Sequence, residues 1–199
     1  MYHIPAVIFA GGKSSRMGKD KALLPFGTHT SLSKYQYVKL SKLFTHVYLS
    51  TKKQKFDFTC QTITDIKEAS SPLVALLSCF SSLPSETVFV LSVDAPLVNK
   101  EIITRLYEES ILPENKNKDA IIAQSPKGIQ PLCGFYRRSI LPLAETCHAE
   151  NNHKLTTLLQ KANTLYVPFK EEKPFTNLNT MPQYQDLRES LASSTAHNF

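Results

Sequence analysis

Apolar residues fall in short blocks along this chain, and the clearest blocks stop at glycine or aspartate. Pro5 to Ala10 (PAVIFA) is a continuous apolar run ending in Gly11-Gly12. A run this short, bounded by glycine, predicts a strand buried on both faces, as in a parallel sheet. His46 to Ser50 (HVYLS) and Gln61 to Thr64 predict two more strands, the second ending at Asp65. Thr87 to Val93 (TVFVLSV) predicts the most completely buried strand and stops at Asp94-Ala95-Pro96, and Asp119 to Gln124 (DAIIAQ) predicts another. Between them the period changes to that of a helix. Ser31 can cap a helix with Leu32, Tyr35, Val38 and Leu43 at its apolar positions. Ser71-Pro72 opens one carrying Leu73, Leu76, Leu77 and Phe80, with proline at the first helical position. Asn99 caps a third with Ile102, Ile103, Leu106 and Tyr107 on one face. Strands alternating with helices predict an α/β fold of three layers around a mostly parallel central sheet. Beyond Gln124 the two periods mix. Residues 1–191 are expected to form one domain and 192–199 a disordered tail.

Such sheets bind ligands outside the carboxyl ends of their strands. Gly11-Gly12, Asp65 and Asp94 all fall at such ends, and that coincidence outweighs any one of them. The segment from Phe9 to Lys21 reads FAGGKSSRMGKDK. It is not a Walker A loop, because the spacing from Gly12 to Gly18-Lys19 is one residue too long and Asp20 stands where a serine or threonine would bind metal. It is not G-x-G-x-x-G either. Its chemistry is nonetheless that of an anion site. Paired glycines allow a sharp turn and a close backbone approach, and successive N–H groups make a nest. Ser14 and Ser15 offer hydroxyls, Arg16 can fork two phosphate oxygens, and Lys21 adds a mobile point charge. Asp94, directly after a buried strand on the same rim, suits a hard cation such as Mg²⁺, which takes oxygen ligands.

Composition narrows the class. The 199 residues suffice for one sizeable domain, and a hydrophobic content of 42% is ordinary for a globular protein. No apolar run approaches the roughly 18 residues of a membrane span, and Met1 to Pro5 lacks the features of a signal peptide. A cytoplasmic location is therefore expected. The 4 cysteines, Cys60, Cys79, Cys133 and Cys147, are scattered without a C-x-x-C pair, which argues against structural zinc and disulfides. A net charge of +6 favours an anionic partner. The basic residues form short clusters, among them Lys52/Lys53/Lys55, Lys116/Lys118 and Arg137/Arg138, which read as solvated surface. His148 and His153 lack H-E-x-x-H spacing, no G-x-S-x-G occurs, and aromatic residues do not interleave with a basic stripe.

FAGGKSSRMGKDKALLPFG resembles the N-terminal signature of the molybdenum cofactor guanylyltransferases, and SVDAP (Ser92 to Pro96), GIQPLCGFY (Gly128 to Tyr136) and FTNLNTMPQY (Phe175 to Tyr184) extend the likeness in order along the chain. The resemblance implies a Rossmann-like nucleotidyltransferase fold that transfers GMP from GTP to the phosphate of molybdenum-molybdopterin. It implies Mg²⁺ on Asp94, with Arg16, Lys21 and Asp94 catalytic. It assigns the nucleotide to Phe9, Ala10, Gly11, Gly12, Lys21, Ser50, Asp65 and Asp94, with Asn177 and Asn179 near metal and phosphates and Gln130 on the acceptor side. Transient contacts with cofactor-biosynthesis or molybdoenzyme-maturation proteins are expected, and no nucleic acid or membrane partner. Three rival readings remain: a relative using CTP or another phosphorylated acceptor, a catalytically silent nucleotide-binding adaptor, and an RNA-binding module.

Overall fold

The computed structural model describes residues 1–11, 18–65 and 71–196, with side chains to residue 189. Among them the strands form one sheet in the order β3-β2-β1-β4-β6-β5-β7. These are β1 (Ala6–Phe9), β2 (Val47–Thr51), β3 (Gln61–Thr64), β4 (Thr87–Ser92), β5 (Ala120–Ser125), β6 (Gly128–Arg137) and β7 (Thr164–Pro168). The pairings β1–β2, β2–β3, β1–β4 and β5–β7 are parallel, while β6 runs antiparallel to both β4 and β5. The expected α/β class and mostly parallel sheet are thus present.

The helices are α1 (Leu32–Ser41), α2 (Pro72–Ser82), α3 (Lys100–Ile111), α4 (Leu141–Ala149), α5 (Leu155–Lys161) and α6 (Met181–Ala196). Alternation along the strands divides the core in two. Ala6, Ile8, Phe89 and Leu91 face one cluster with Leu40 of α1, Ile103 of α3 and Tyr184 of α6. Val7, Phe9, Val88 and Val90 face the other with Leu76 of α2, Ala144 of α4 and Leu158 of α5. Both faces of β1 and β4 are therefore covered, which is why their sequences run apolar without a break.

Three caps form as the sequence predicts. Ser31, Ser71 and Asn99 each accept the backbone N–H three residues on, from Lys34, Val74 and Ile102. The buried face of α1 differs from expectation: it is Leu32, Ser33, Gln36 and Leu40, with Tyr35 and Val38 only half-buried. The reason is polar. The Ser33 hydroxyl donates to the Ala22 carbonyl at 2.6 Å, and Gln36 turns toward β4. Gly134 of β6 admits no side chain, since a Cβ there would run into the Ile121 carbonyl oxygen of β5. Helix α6 extends to Ala196, into the segment assigned to a tail, and residues 197–199 lie outside the described residues.

Candidate active site

Strand register builds the site. Phe9 of β1 pairs laterally with Ser50 of β2 on one side and Ser92 of β4 on the other. Two residues further along, the same strands deliver Gly11 and Asp94 to the carboxyl rim. Ser50 pairs with Ile63 of β3, so Asp65 falls in the same row. Phe9, Ala10 and Ser50 are buried beneath this rim.

On the β2–β3 side, the Ser50 hydroxyl donates to Asp65 Oδ1 at 3.4 Å. Burial raises the Asp65 carboxyl above its ordinary value, opposed by the Ser50 hydroxyl and the charge of Lys52. Phe9, Gly11, Ser50, Asp65 and Ser92 line a cleft of about 120 Å³.

On the β4 side, Lys21 opens a short 3₁₀ turn (Lys21–Leu23) and makes an ion pair with Asp94 Oδ2. The Ser92 hydroxyl donates to the other Asp94 oxygen at 2.5 Å. The Leu178 N–H donates to the Asp94 carbonyl at 2.8 Å, drawing Asn177 and Asn179 to the same turn. Asn179 Oδ1 stands 3.5 Å from the Lys21 ammonium. A capping box fixes the entry into α6: Gln183 Oε1 accepts the N–H groups of Asn179 and Thr180, while the Thr180 hydroxyl accepts from the Gln183 N–H.

The described site residues therefore converge. Lys21, Asp94, Asn177 and Asn179 form one group and Ser50 with Asp65 another, on either side of Phe9, Ala10 and Gly11. Gly12, Lys13, Ser14, Ser15 and Arg16 lie outside the described residues.

The oxygen-rich surroundings of Asp94 fit magnesium, which needs only one or two carboxylates beside substrate phosphates. Among the described residues no cluster of three or more His, Cys, Asp or Glu could hold a metal by itself. His153 instead stands with its Nδ1 3.4 Å from the Ser71 hydroxyl.

Three sets of residues read as solvated surface or helix pattern in the sequence have structural work. Lys55 donates to the Ala10 carbonyl at 2.9 Å and to Asp20 Oδ2 at 2.6 Å, joining the two ends of the glycine loop. Asp20 is held in turn by the Ala22 N–H at 3.0 Å. Under the Asp94 turn, Lys39 donates to the Pro96 and Val98 carbonyls at 2.9 Å each. One helical turn before it, Gln36 Nε2 donates to the Ser92 and Val93 carbonyls at 3.2 and 3.4 Å. Desolvation lowers the Lys39 ammonium to about 7. Arg137 and Arg138 are not a solvated patch. Arg138 binds the carbonyls of Phe80, Leu83 and Ser85 at the end of α2, and Arg137 those of Ser110, Asn115 and Lys118. Spacing offers no signal for these contacts, since each joins segments far apart in sequence.

An α/β sheet whose carboxyl rim carries a glycine, a lysine and a carboxylate has the architecture of the nucleotidyltransferases. The MobA-like NTP transferase domain family matches residues 6–165. A molybdenum cofactor guanylyltransferase of Campylobacter jejuni is 39% identical over 93% of this chain and 95% of its own length. A protein of the same name from Helicobacter pylori is 33% identical over 92% and 90%. The chain belongs to the molybdenum cofactor guanylyltransferase family. The crystal structure of molybdopterin-guanine dinucleotide biosynthesis protein A from Archaeoglobus fulgidus superimposes with a TM-score of 0.81, covering 96% of this chain and 100% of that one at 20% identity, and so shares the fold. Among the described residues no helix is long and apolar enough to cross a membrane.

Proposed function

We propose that this protein transfers GMP from GTP to the phosphate of molybdenum-bound molybdopterin, releasing pyrophosphate, and that it works in the cytoplasm. The observation that carries the proposal is the strand register, which sets a hydroxyl–carboxylate pair (buried Ser50, half-buried Asp65) and a lysine–carboxylate pair (Lys21, Asp94) on either side of Gly11. The names of the C. jejuni and H. pylori relatives support the choice of reaction.

Guanine presents two adjacent N–H donors, and the Asp65 carboxylate can accept both. Cytosine sets an acceptor beside its amino group, and adenine likewise lacks the donor pair. Either base would leave an oxygen of this half-buried carboxylate unpaired, and that mismatch is the basis of selection. The triphosphate lies along the segment that begins at Gly11, with Gly12 and Arg16 as further contacts. Lys21 turns its ammonium from Asp94 to the phosphate oxygens. Mg²⁺ held by Asp94, with Asn177 and Asn179 beside it, would polarise phosphate oxygens as a Lewis acid.

An acceptor phosphate oxygen forms the new bond to the α-phosphorus. The bond from the α-phosphorus to the bridging oxygen breaks, and pyrophosphate departs with the electron pair. The nucleophile is already anionic, so no side chain has to remove a proton. Positioning and charge neutralisation carry the rate.

Asp65→Asn tests the base assignment. It removes one acceptor and should lower kcat/KM for GTP by roughly 5- to 150-fold, from a loss of about 1–3 kcal/mol, with little change for ATP. An unaltered preference for GTP would remove Asp65 from the base site.

A further inference from the structure

Helix α1 buries polar residues where a helix packed on a sheet ordinarily buries apolar ones. Ser33 and Gln36 are fully enclosed, and half-buried Lys39 follows one turn later. Gln36 shows that the core alone does not explain this choice. Its Oε1 is buried and, among the described residues, accepts no hydrogen bond. An unpaired buried oxygen is unfavourable, so an apolar side chain would fill the same space at less cost.

Each of these polar groups reaches a backbone carbonyl beside a reacting side chain. The Ser33 hydroxyl donates to the Ala22 carbonyl at 2.6 Å, and the Leu32 N–H donates to the Leu24 carbonyl at 2.7 Å. Together they seat the 3₁₀ turn that presents Lys21. Gln36 Nε2 donates to the carbonyls of Ser92 and Val93, directly before Asp94. Lys39 donates to those of Pro96 and Val98, just after it. One helix therefore carries the mount of the lysine and grips the carboxylate from both flanks. Ser33 and Gln36 lie about 4.5 Å apart along its axis, a length fixed by helix geometry.

We propose that α1 is a rigid spacer for the Lys21–Asp94 ion pair, and that Ser33 and Gln36 are positioning residues that set the separation of ammonium and carboxylate. Before nucleotide binds, the two charges face each other. For transfer, Lys21 has to leave the carboxylate for a phosphate oxygen. That handover is efficient only when both groups are held where the phosphates arrive. The handover rests on the guanylyltransferase reading; the spacing does not.

The test uses the full-length protein with isotope-labelled lysine, in solution without nucleotide. The Lys21 ammonium signal is identified by its absence in Lys21→Met. Exchange of its protons with water, followed by NMR, reports how firmly the ion pair is held. Ser33→Ala and Gln36→Met are each expected to speed that exchange by roughly fivefold or more. Per folded enzyme, each should lower kcat roughly 10-fold, with KM for GTP within about threefold of wild type. The double variant should lose no more than about 30-fold, because both changes loosen one separation. Ser33→Thr keeps the hydroxyl and should hold exchange and kcat within about threefold of wild type. Ser33→Ala removes a single oxygen, so it tests the spacer even where Gln36→Met does not fold. A merely structural role would lower stability in urea and leave both the exchange and kcat per folded enzyme unchanged. That result, or losses that multiply to about 100-fold in the double variant, would overturn the proposal. Absence of guanylylated product from the wild type, with exchange still responding to Ser33→Ala, would overturn the proposed reaction and leave the spacer standing.

Discussion

Lys39 offers a quantitative check on how the Asp94 turn is held. Its ammonium bridges the Pro96 and Val98 carbonyls, and desolvation brings it from 10.5 down to about 7. In the unfolded chain it titrates near 10.4. Between those values the unfolded state binds a proton that the folded state does not, so stability rises with pH. This contribution is fully present above about 10.5 and is lost as pH falls toward 7. From pH 7.5 to 9.5 the two proton-binding curves predict a gain of about 2.5 kcal/mol from this one group. Cys133, the titratable group coupled to Lys39, acts in the opposite sense but is present in both proteins compared. Urea denaturation of wild type and Lys39→Met at intervals across this range gives the two profiles. The difference, wild type minus variant, should climb by about 2–3 kcal/mol. Parallel profiles would show that the ammonium is not desolvated under the turn. The same variant loosens the backbone that carries Asp94. It should lower kcat by roughly 10-fold, as loss of about 1.4 kcal/mol of positioning would, while KM for GTP holds and Lys39→Arg recovers part of the loss.

Asp94→Ala removes the carboxylate opposite Lys21 and should lower turnover by at least ~1000-fold while GTP still binds in equilibrium dialysis; retained turnover would exclude Asp94 from the reaction. Chelation by EDTA should abolish turnover of the wild type, and Mg²⁺ alone should restore it. Lys55→Met unties the ends of the glycine loop, so KM for GTP should rise about 5- to 30-fold, the equivalent of about 1–2 kcal/mol, without comparable loss of kcat. Gly134→Ala places a methyl against the Ile121 carbonyl, and chemical denaturation should record a loss of about 2–4 kcal/mol.

The buried centre of the fold was legible because its strands are covered on both faces. PAVIFA and TVFVLSV became β1 and β4, and the residues that end them, Gly11 and Asp94, stand on the rim as expected. The helix starts were legible through local chemistry, since a cap needs only residues three apart. Strand β6 was not. It is ten residues long, but Gly128, Gln130, Pro131 and Gly134 break any apolar run, and its first half is only half-buried. Its register comes from β4 and β5, not from its own pattern. Gln36, Lys39 and Lys55 were hidden for a related reason. Periodicity assigns polar residues to solvent, whereas these three reach backbone carbonyls of distant segments and are stabilised by contacts that exist only in the folded chain. Asp65 and Ser50 lay between the extremes: both end predicted strands, but only the lateral register brings them 3.4 Å apart.

Guanylyl transfer at this rim stands or falls on product formation by the purified protein. Pyrophosphate release should be measured with GTP, CTP and ATP in turn, each with Mg²⁺ and with or without molybdenum-loaded molybdopterin. A guanylyltransferase releases pyrophosphate from GTP only when the acceptor is present, and at least 100-fold less from CTP or ATP. Preference for CTP, or release from GTP that ignores the acceptor, would contradict the proposed reaction.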